Sequence, residues 1–210
     1  YNKTVFKKKN GEIVKRSIDD AKKLLIKAGY GNGIDEKTKK PLILYFEATG
    51  AGADTYAFLN WLRKQFKKIN IQLVTRVTDY NRFQEKMING TGQIFQWGWN
   101  ADYPDPENFL FLLYSKNGKV KFGGENASNY ESKAFDKLFK QMKNMKNSPR
   151  RKEIIQDMLE IIQSDSPWIW GFHPKSFSLS HGWVENTESN LMANNTLKYK
   201  EIINQKRLER

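Results

Sequence analysis

Apolar residues recur along this chain with two periods, and the period changes over at short polar or glycine-rich joints. Residues 42–47 read as a buried strand. Phe58, Leu59, Leu62, Phe66 and Ile69 then fall on one face of a helix over about 54–69. Residues 71–77 alternate and are β-branched, which predicts a second strand. Asp79 suits the cap of a short helix running to Asn89, with Phe83 and Met87 four apart on its inner side. Residues 94–99 make a third apolar run. Strand, helix, strand, helix, strand at these lengths predicts a right-handed βαβαβ unit with neighbouring parallel strands.

Ahead of this unit, Ser17 and Asp20 have capping-box spacing. Ile18, Ala21, Leu24, Leu25 and Ala28 share a face of the helix they open, and Gly29 ends it. Residues 30–40 are glycine and lysine rich, a loop. Behind the unit, 108–114 suggest a short helix and 117–124 a glycine-rich loop. Ser132 is placed to cap a helix with Phe135, Leu138, Phe139, Met142 and Met145 on one face. Ser148-Pro149 starts another, whose apolar set is Ile154, Ile155, Met158, Leu159, Ile161 and Ile162. Asp165-Ser-Pro breaks it. Residues 168–172 and 177–179 read as strands, 185–195 as a polar loop, 196–199 as a last strand and 206–210 as a frayed basic tail. There is no internal repeat.

At 210 residues and 39% hydrophobic content, the chain fills one large domain or two small ones. No window approaches the ~18 to 20 unbroken apolar residues of a membrane helix. The absence of cysteine excludes disulfides and thiolate metal sites. A net charge of +13 invites a nucleic-acid reading, yet the first 40 residues alone hold twelve Lys/Arg against five Asp/Glu. The remaining excess is scattered on helices, often beside acids, and lysine far outnumbers arginine. That distribution suits a solvated basic surface, with no nucleic-acid partner expected. The start, Tyr-Asn-Lys-Thr-Val-Phe, is neither a methionine start nor a secretion signal, so processing or a longer parent protein is expected.

The densest chemistry lies in 97–114. Asp102, Asp105 and Glu107 follow the third apolar run, stiffened by Pro104 and Pro106 and flanked by Trp97, Trp99 and Tyr103. Flat aromatics beside a fixed carboxylate suit an organic group that carries positive charge. In open α/β sheets ligands sit beyond the carboxyl ends of strands, which is where Asp102 would fall. A helix cap or turn remains the plainer role for Asp102. On a strand Trp97 and Trp99 would point the same way; Trp99, nearer the end, is favoured as a site wall, while Trp97 is equally suited to the core. Nothing makes a nucleophile: His173 and His181 are eight apart and no Gly-x-Ser-x-Gly elbow occurs. Two prolines interrupt any calcium loop, and Gly50 and Gly52 lack the Gly-Lys-Ser/Thr of a phosphate loop. A binder is expected, not an enzyme, with no cofactor and no metal.

Several blocks stand together in order: 20–30, the helix-to-strand passage 62–71, Gly98-Trp-Asn-Ala-Asp-Tyr-Pro-Asp-Pro, Asn126-Ala-Ser-Asn-Tyr, 135–138 and 165–169. Over about 15–200 the chain resembles the C-terminal half of extracellular solute-binding proteins of the oligopeptide/dipeptide-binding family, the capture components of ABC importers. The block around Asp102 carries most of the specificity. The resemblance implies an α/β, periplasmic-binding-protein-like lobe with a mixed, mainly parallel sheet flanked by helices. It divides into an N-terminal helix and basic loop (1–40), the ligand-binding lobe (41–184) and a segment returning to the other lobe of a longer, two-lobed protein (185–210). It further implies that Asp102, desolvated at the sheet's mouth, pairs with a peptide's α-ammonium. The backbone of 98–100, from Gly98 to Asn100, would take the peptide as an added strand. Trp99 would line a side-chain pocket and Tyr80 would form an aromatic wall. Tyr103 and Asn126 complete the expected ligand set. Gln96 departs from members with arginine there. Peptide or another small cationic solute, an ABC permease, and a place in the periplasm or on the outer face of the cytoplasmic membrane follow as expectations, although other members take nickel complexes, haem, sugars or opines. The alternative is the ligand-sensing domain of a transcriptional regulator.

Overall fold

The computed structural model describes residues 3–50, 52–175, 177–188 and 196–208. A hairpin that the 1–40 expectation lacked comes first: β1 (Phe6–Lys9) pairs antiparallel with β2 (Glu12–Lys15). Its turn is Asn10-Gly11, with φ of 52° and 87°, the left-handed pair that a tight hairpin turn demands. The Asn-Gly dipeptide was therefore a legible signal. Next comes α1 (Ile18–Lys27), where Ser17 accepts from the Asp20 amide and Asp20 accepts from the Ser17 amide, the expected capping box. Its predicted inner face is not buried: Ile18 and Leu24 are exposed, Leu24 to 61%.

The βαβαβ unit forms as predicted. It runs β3 (Ile43–Thr49), α2 (Ala53–Lys67), β4 (Gln72–Thr78), α3 (Tyr80–Ile88) and β5 (Ile94–Phe95), with sheet order β4-β3-β5 and all pairs parallel. Alternation along β3 sends neighbouring side chains to opposite faces. Phe46 packs with Leu59 and Leu73 in a core shared with Leu62 and Phe66 of α2. Glu47, 1% exposed, reaches Lys86 of α3 at 2.5 Å and Arg76 of β4 at 3.4 Å. Asp79 caps α3 by accepting from the Arg82 amide, and Phe83 and Met87 are buried. The third strand is shorter than expected. It pairs with β3 only at Ile94 and Phe95, and from Gln96 onward the chain leaves the ladder.

A helical layer follows, made of α4 (Glu107–Leu110), a 3-10 turn (Phe111–Leu113), α5 (Lys119–Phe122), α6 (Lys133–Met142) and α7 (Pro149–Asp165). The short α5 occupies what was expected to be loop. Ser132 and Ser148 cap α6 and α7 as predicted, with Pro149 in the first turn. Phe135, Phe139, Met142, Ile154, Met158 and Ile162 close the second core together with Leu110 and Leu113. Period-3.6 apolar faces found each other here, so the sequence reading transferred directly.

Past α7 it did not. Residues 168–172 and 177–179 form no strand; Ile169 is 88% and Leu179 100% exposed. A strand needs a neighbour to satisfy its amides and carbonyls, and none of the described residues pairs with these. The closing pair is β6 (Val184–Glu185) antiparallel to β7 (Glu201–Ile202). Residues 196–199 are a 3-10 turn instead of a strand, and a short exposed helix follows, α8 (Asn204–Leu208). Part of the predicted polar loop, 189–195, and the last two residues lie outside the described residues. Among the described residues no helix is long and apolar enough to cross a membrane.

Candidate functional site

The carboxyl ends of β3 and β5 diverge where α2 begins, and between them opens a crevice of about 320 Å³. Thr49, Thr55, Phe58, Gln96, Trp97 and Gly98 line it, and all its lining residues are uncharged. This is the position at which open α/β sheets hold ligands. A Cβ placed on Gly98 would meet nothing within 4 Å, so the backbone there can be approached closely.

From this rim the chain enters the loop 99–106, which two buried side chains hold. Asn108, 3% exposed and in the first turn of α4, accepts at its Oδ1 from the Trp99 indole N–H (3.0 Å) and from the Asp102 amide (2.9 Å). Its Nδ2 donates to Asp102 Oδ2 at 3.3 Å. Arg151, also 3% exposed, donates to Asp105 Oδ1 at 2.7 Å, to the Met142 carbonyl at 3.2 Å and to Asn147 at 2.8 Å. Asp105 in turn accepts from the Glu107 amide at 2.8 Å. The Arg151 guanidinium holds the Asp105 carboxyl below the usual carboxylate range. Tyr103 donates its hydroxyl to Glu107, and that bond raises the phenol above its ordinary value.

Around these anchors the two tryptophans part company. Trp97 meets Phe83 edge-on at 5.4 Å, with the Lys119 ammonium 5.4 Å from its ring. Trp99 meets Phe111 edge-on at 5.4 Å and is half-buried. The shared-face expectation assumed a strand through 94–99; leaving the ladder after Phe95 removes its basis. It is Trp97, not Trp99, that lines the crevice.

Of the other expected ligand residues, Asp102 lies past the end of β5, as predicted, but its side chain is exposed where desolvation was expected. Its Oδ1 accepts no hydrogen bond among the described residues. Asn100 and Tyr103 are exposed on the same loop. Tyr80 opens α3, half its surface exposed, and stacks on Phe83 at 6.3 Å. Asn126 stands apart. It is fully buried, donates to the carbonyls of Tyr114 and Tyr130, and accepts from Ser128 and from the Tyr130 amide. A side chain with no surface and a satisfied amide does not meet a solute; its work is to tie the 114–130 loop together.

The sequence reading missed Asn108, Arg151 and Glu47. Arg151 left a trace, because a cation in the first turn of a helix opposes the helix dipole and so calls for a partner elsewhere. Asn108 and Glu47 left none, since a lone polar residue within an apolar run does not announce what it bonds.

The family described as bacterial extracellular solute-binding proteins, family 5 Middle, matches residues 1–121. Heme-binding protein A of Haemophilus influenzae is 25% identical over 161 residues, 76% of this chain and 28% of that protein. Oligopeptide-binding protein OppA of Bacillus subtilis is 26% identical over 160 residues, again 76% and 28%. Among solved structures, the periplasmic binding protein DppA from Helicobacter pylori in complex with peptide STSA superposes with a TM-score of 0.62 at 27% identity, over 80% of this chain and 30% of that one. The chain thus spans under a third of the length of these relatives. With a profile match over more than half its length and a parallel α/β lobe to support it, this chain belongs to the family 5 bacterial extracellular solute-binding proteins.

Proposed function

We propose that this chain is the amine-holding portion of a longer solute-capture protein serving an ABC importer, with a peptide as the solute. The observation that carries the reading is the clamped loop beyond β5. It presents the Asp102 carboxylate to solvent four positions along the chain from Gly98, whose open backbone lines an uncharged crevice. An extended peptide could bond its main chain along 98–100, lodge an uncharged side chain in the crevice, and set its terminal ammonium against Asp102. The oligopeptide-binding relative and the peptide-bound DppA structure support the solute class. The periplasmic description of DppA supports export across the cytoplasmic membrane.

Asp102 is exposed in this chain, so its desolvation would come from the rest of the two-lobed protein closing over the solute. Breaking a buried ion pair by removing one partner costs ~3–5 kcal/mol, about a hundredfold to several thousandfold in affinity. Asp102→Ala in the full-length protein should weaken peptide binding on that scale in titration calorimetry. An unchanged dissociation constant would take Asp102 out of the site.

A further inference from the structure

We infer that Asn108 is a positioning residue for solute capture: its buried amide sets the Asp102 carboxylate and the Trp99 ring before a solute arrives. The inference rests on the reading of Asp102 as the anchor for a free amine. It extends that reading from Asp102 to the residue that holds it.

Asn108 lies inside α4, one residue past Glu107, so it is not the residue capping that helix. Asparagine competes poorly for helix interiors because its amide prefers bonds that helical geometry does not offer. Here the amide bonds backward instead, to groups six and nine residues upstream. The acceptor oxygen takes one N–H group from the start of the loop and one from its middle, which fixes the separation of Trp99 and Asp102. The donor nitrogen then takes Asp102 Oδ2 and leaves Oδ1 for an incoming cation. An exposed carboxylate on a free loop would have to be ordered at the moment of binding. One tethered at both its amide and its carboxyl has already met that cost, and preorganisation of this kind raises affinity without adding a contact to the solute.

The chemistry makes a separable demand. A peptide with a free amino end draws on Asp102, whereas the same peptide N-acetylated cannot. The ratio of the two affinities therefore reads the Asp102 contribution alone, while global damage to the lobe lowers both together.

The test uses the full-length protein and a pooled mixture of short random peptides, one half N-acetylated, with competition read by native mass spectrometry. Wild type, Asp102→Ala, Asn108→Leu and Asn108→Ser are compared. Serine keeps a polar group but is too short to reach all three partners, so it serves if the leucine variant does not fold. Loss of a hydrogen bond to a charged group predicts about a tenfold fall in the free-amine preference for either Asn108 variant, with a smaller fall in binding of the acetylated pool. If Asp102→Ala abolishes the preference while both Asn108 variants keep it, Asn108 is merely structural and the inference is overturned alone. If Asp102→Ala leaves the preference unchanged, or the wild type binds neither pool, the reading of Asp102 fails and takes the inference with it.

Discussion

Replacing Arg151 by Met keeps the apolar stem and deletes the fork that pins the Asp102 loop to the α6–α7 hairpin. Arg151 is nearly all buried, its side chain 4% exposed, whereas Asp105 keeps 31% of its side-chain surface. The lost bonds are therefore unequal. Asp105 and the exposed Asn147 regain water for part of what they lose, while the Met142 carbonyl loses a charged donor in a drier place. Hydrogen bonds to charged groups contribute ~1.5–3 kcal/mol each, and a fully buried pair that loses one partner costs ~3–5 kcal/mol. Discounting for the hydrated carboxylate leaves about 2–3 kcal/mol. For a unit of this size that is a fall of about 5–10 °C in the unfolding midpoint. Differential scanning calorimetry on the full-length protein gives the midpoint, and hydrogen exchange over 99–110 shows whether the loop loosens with it. The pH dependence provides a second reading. Asp105 titrates below its ordinary range when folded, so its contribution is complete above that range and is lost as pH falls through the lower, folded value. Arg151→Met should remove this acid-side loss. A midpoint within about 1 °C of wild type, with unchanged exchange over the loop, would refute the clamp.

Two further outcomes follow from buried and capped carboxylates. Lys86→Met should destabilise the lobe by about 2–4 kcal/mol, because it strands Glu47 at 1% exposure with only Arg76 nearby. Glu47→Gln should cost less, since Lys86 and Arg76 can turn to water; chemical denaturation that ranks the pair the other way would overturn this account. The bond from Lys7, with help from the Ser17 amide, holds Asp20 down at about 2. Lys7→Ala should return it toward the usual 3.8, read by carboxyl NMR titration. With the folded value depressed, the contribution of the Asp20 carboxylate, through Lys7 first and the Ser17 amide second, is present above about pH 4 and lost as pH falls through about 2.

The exposed apolar face of α1 and the unpaired runs 168–172 and 177–179 carry the same lesson from opposite directions. Both were read as buried or paired because their periodicity is that of core elements. Periodicity reports what a segment is suited to cover, not whether a surface to cover lies within the same chain. In this chain, whose matched part spans under a third of each relative, those surfaces are not among the described residues.

The sequence by itself determined the βαβαβ unit, the serine and aspartate caps, the helical faces of α6 and α7, and the placement of Asp102 past the last parallel strand. Each follows from rules that span a few residues: a 3.6 or 2.0 period, a cap's reach, a loop after a strand. Only the tertiary structure decided that the third strand ends at Phe95, that Trp97 rather than Trp99 lines the crevice, that Asn126 is internal, and that Asn108 and Arg151 hold the loop. The bonds that hold the loop, for example, join residues 6 to 46 positions apart. No local pattern encodes them, because a polar side chain's partner is chosen by which groups the fold leaves unsatisfied at the place it is buried.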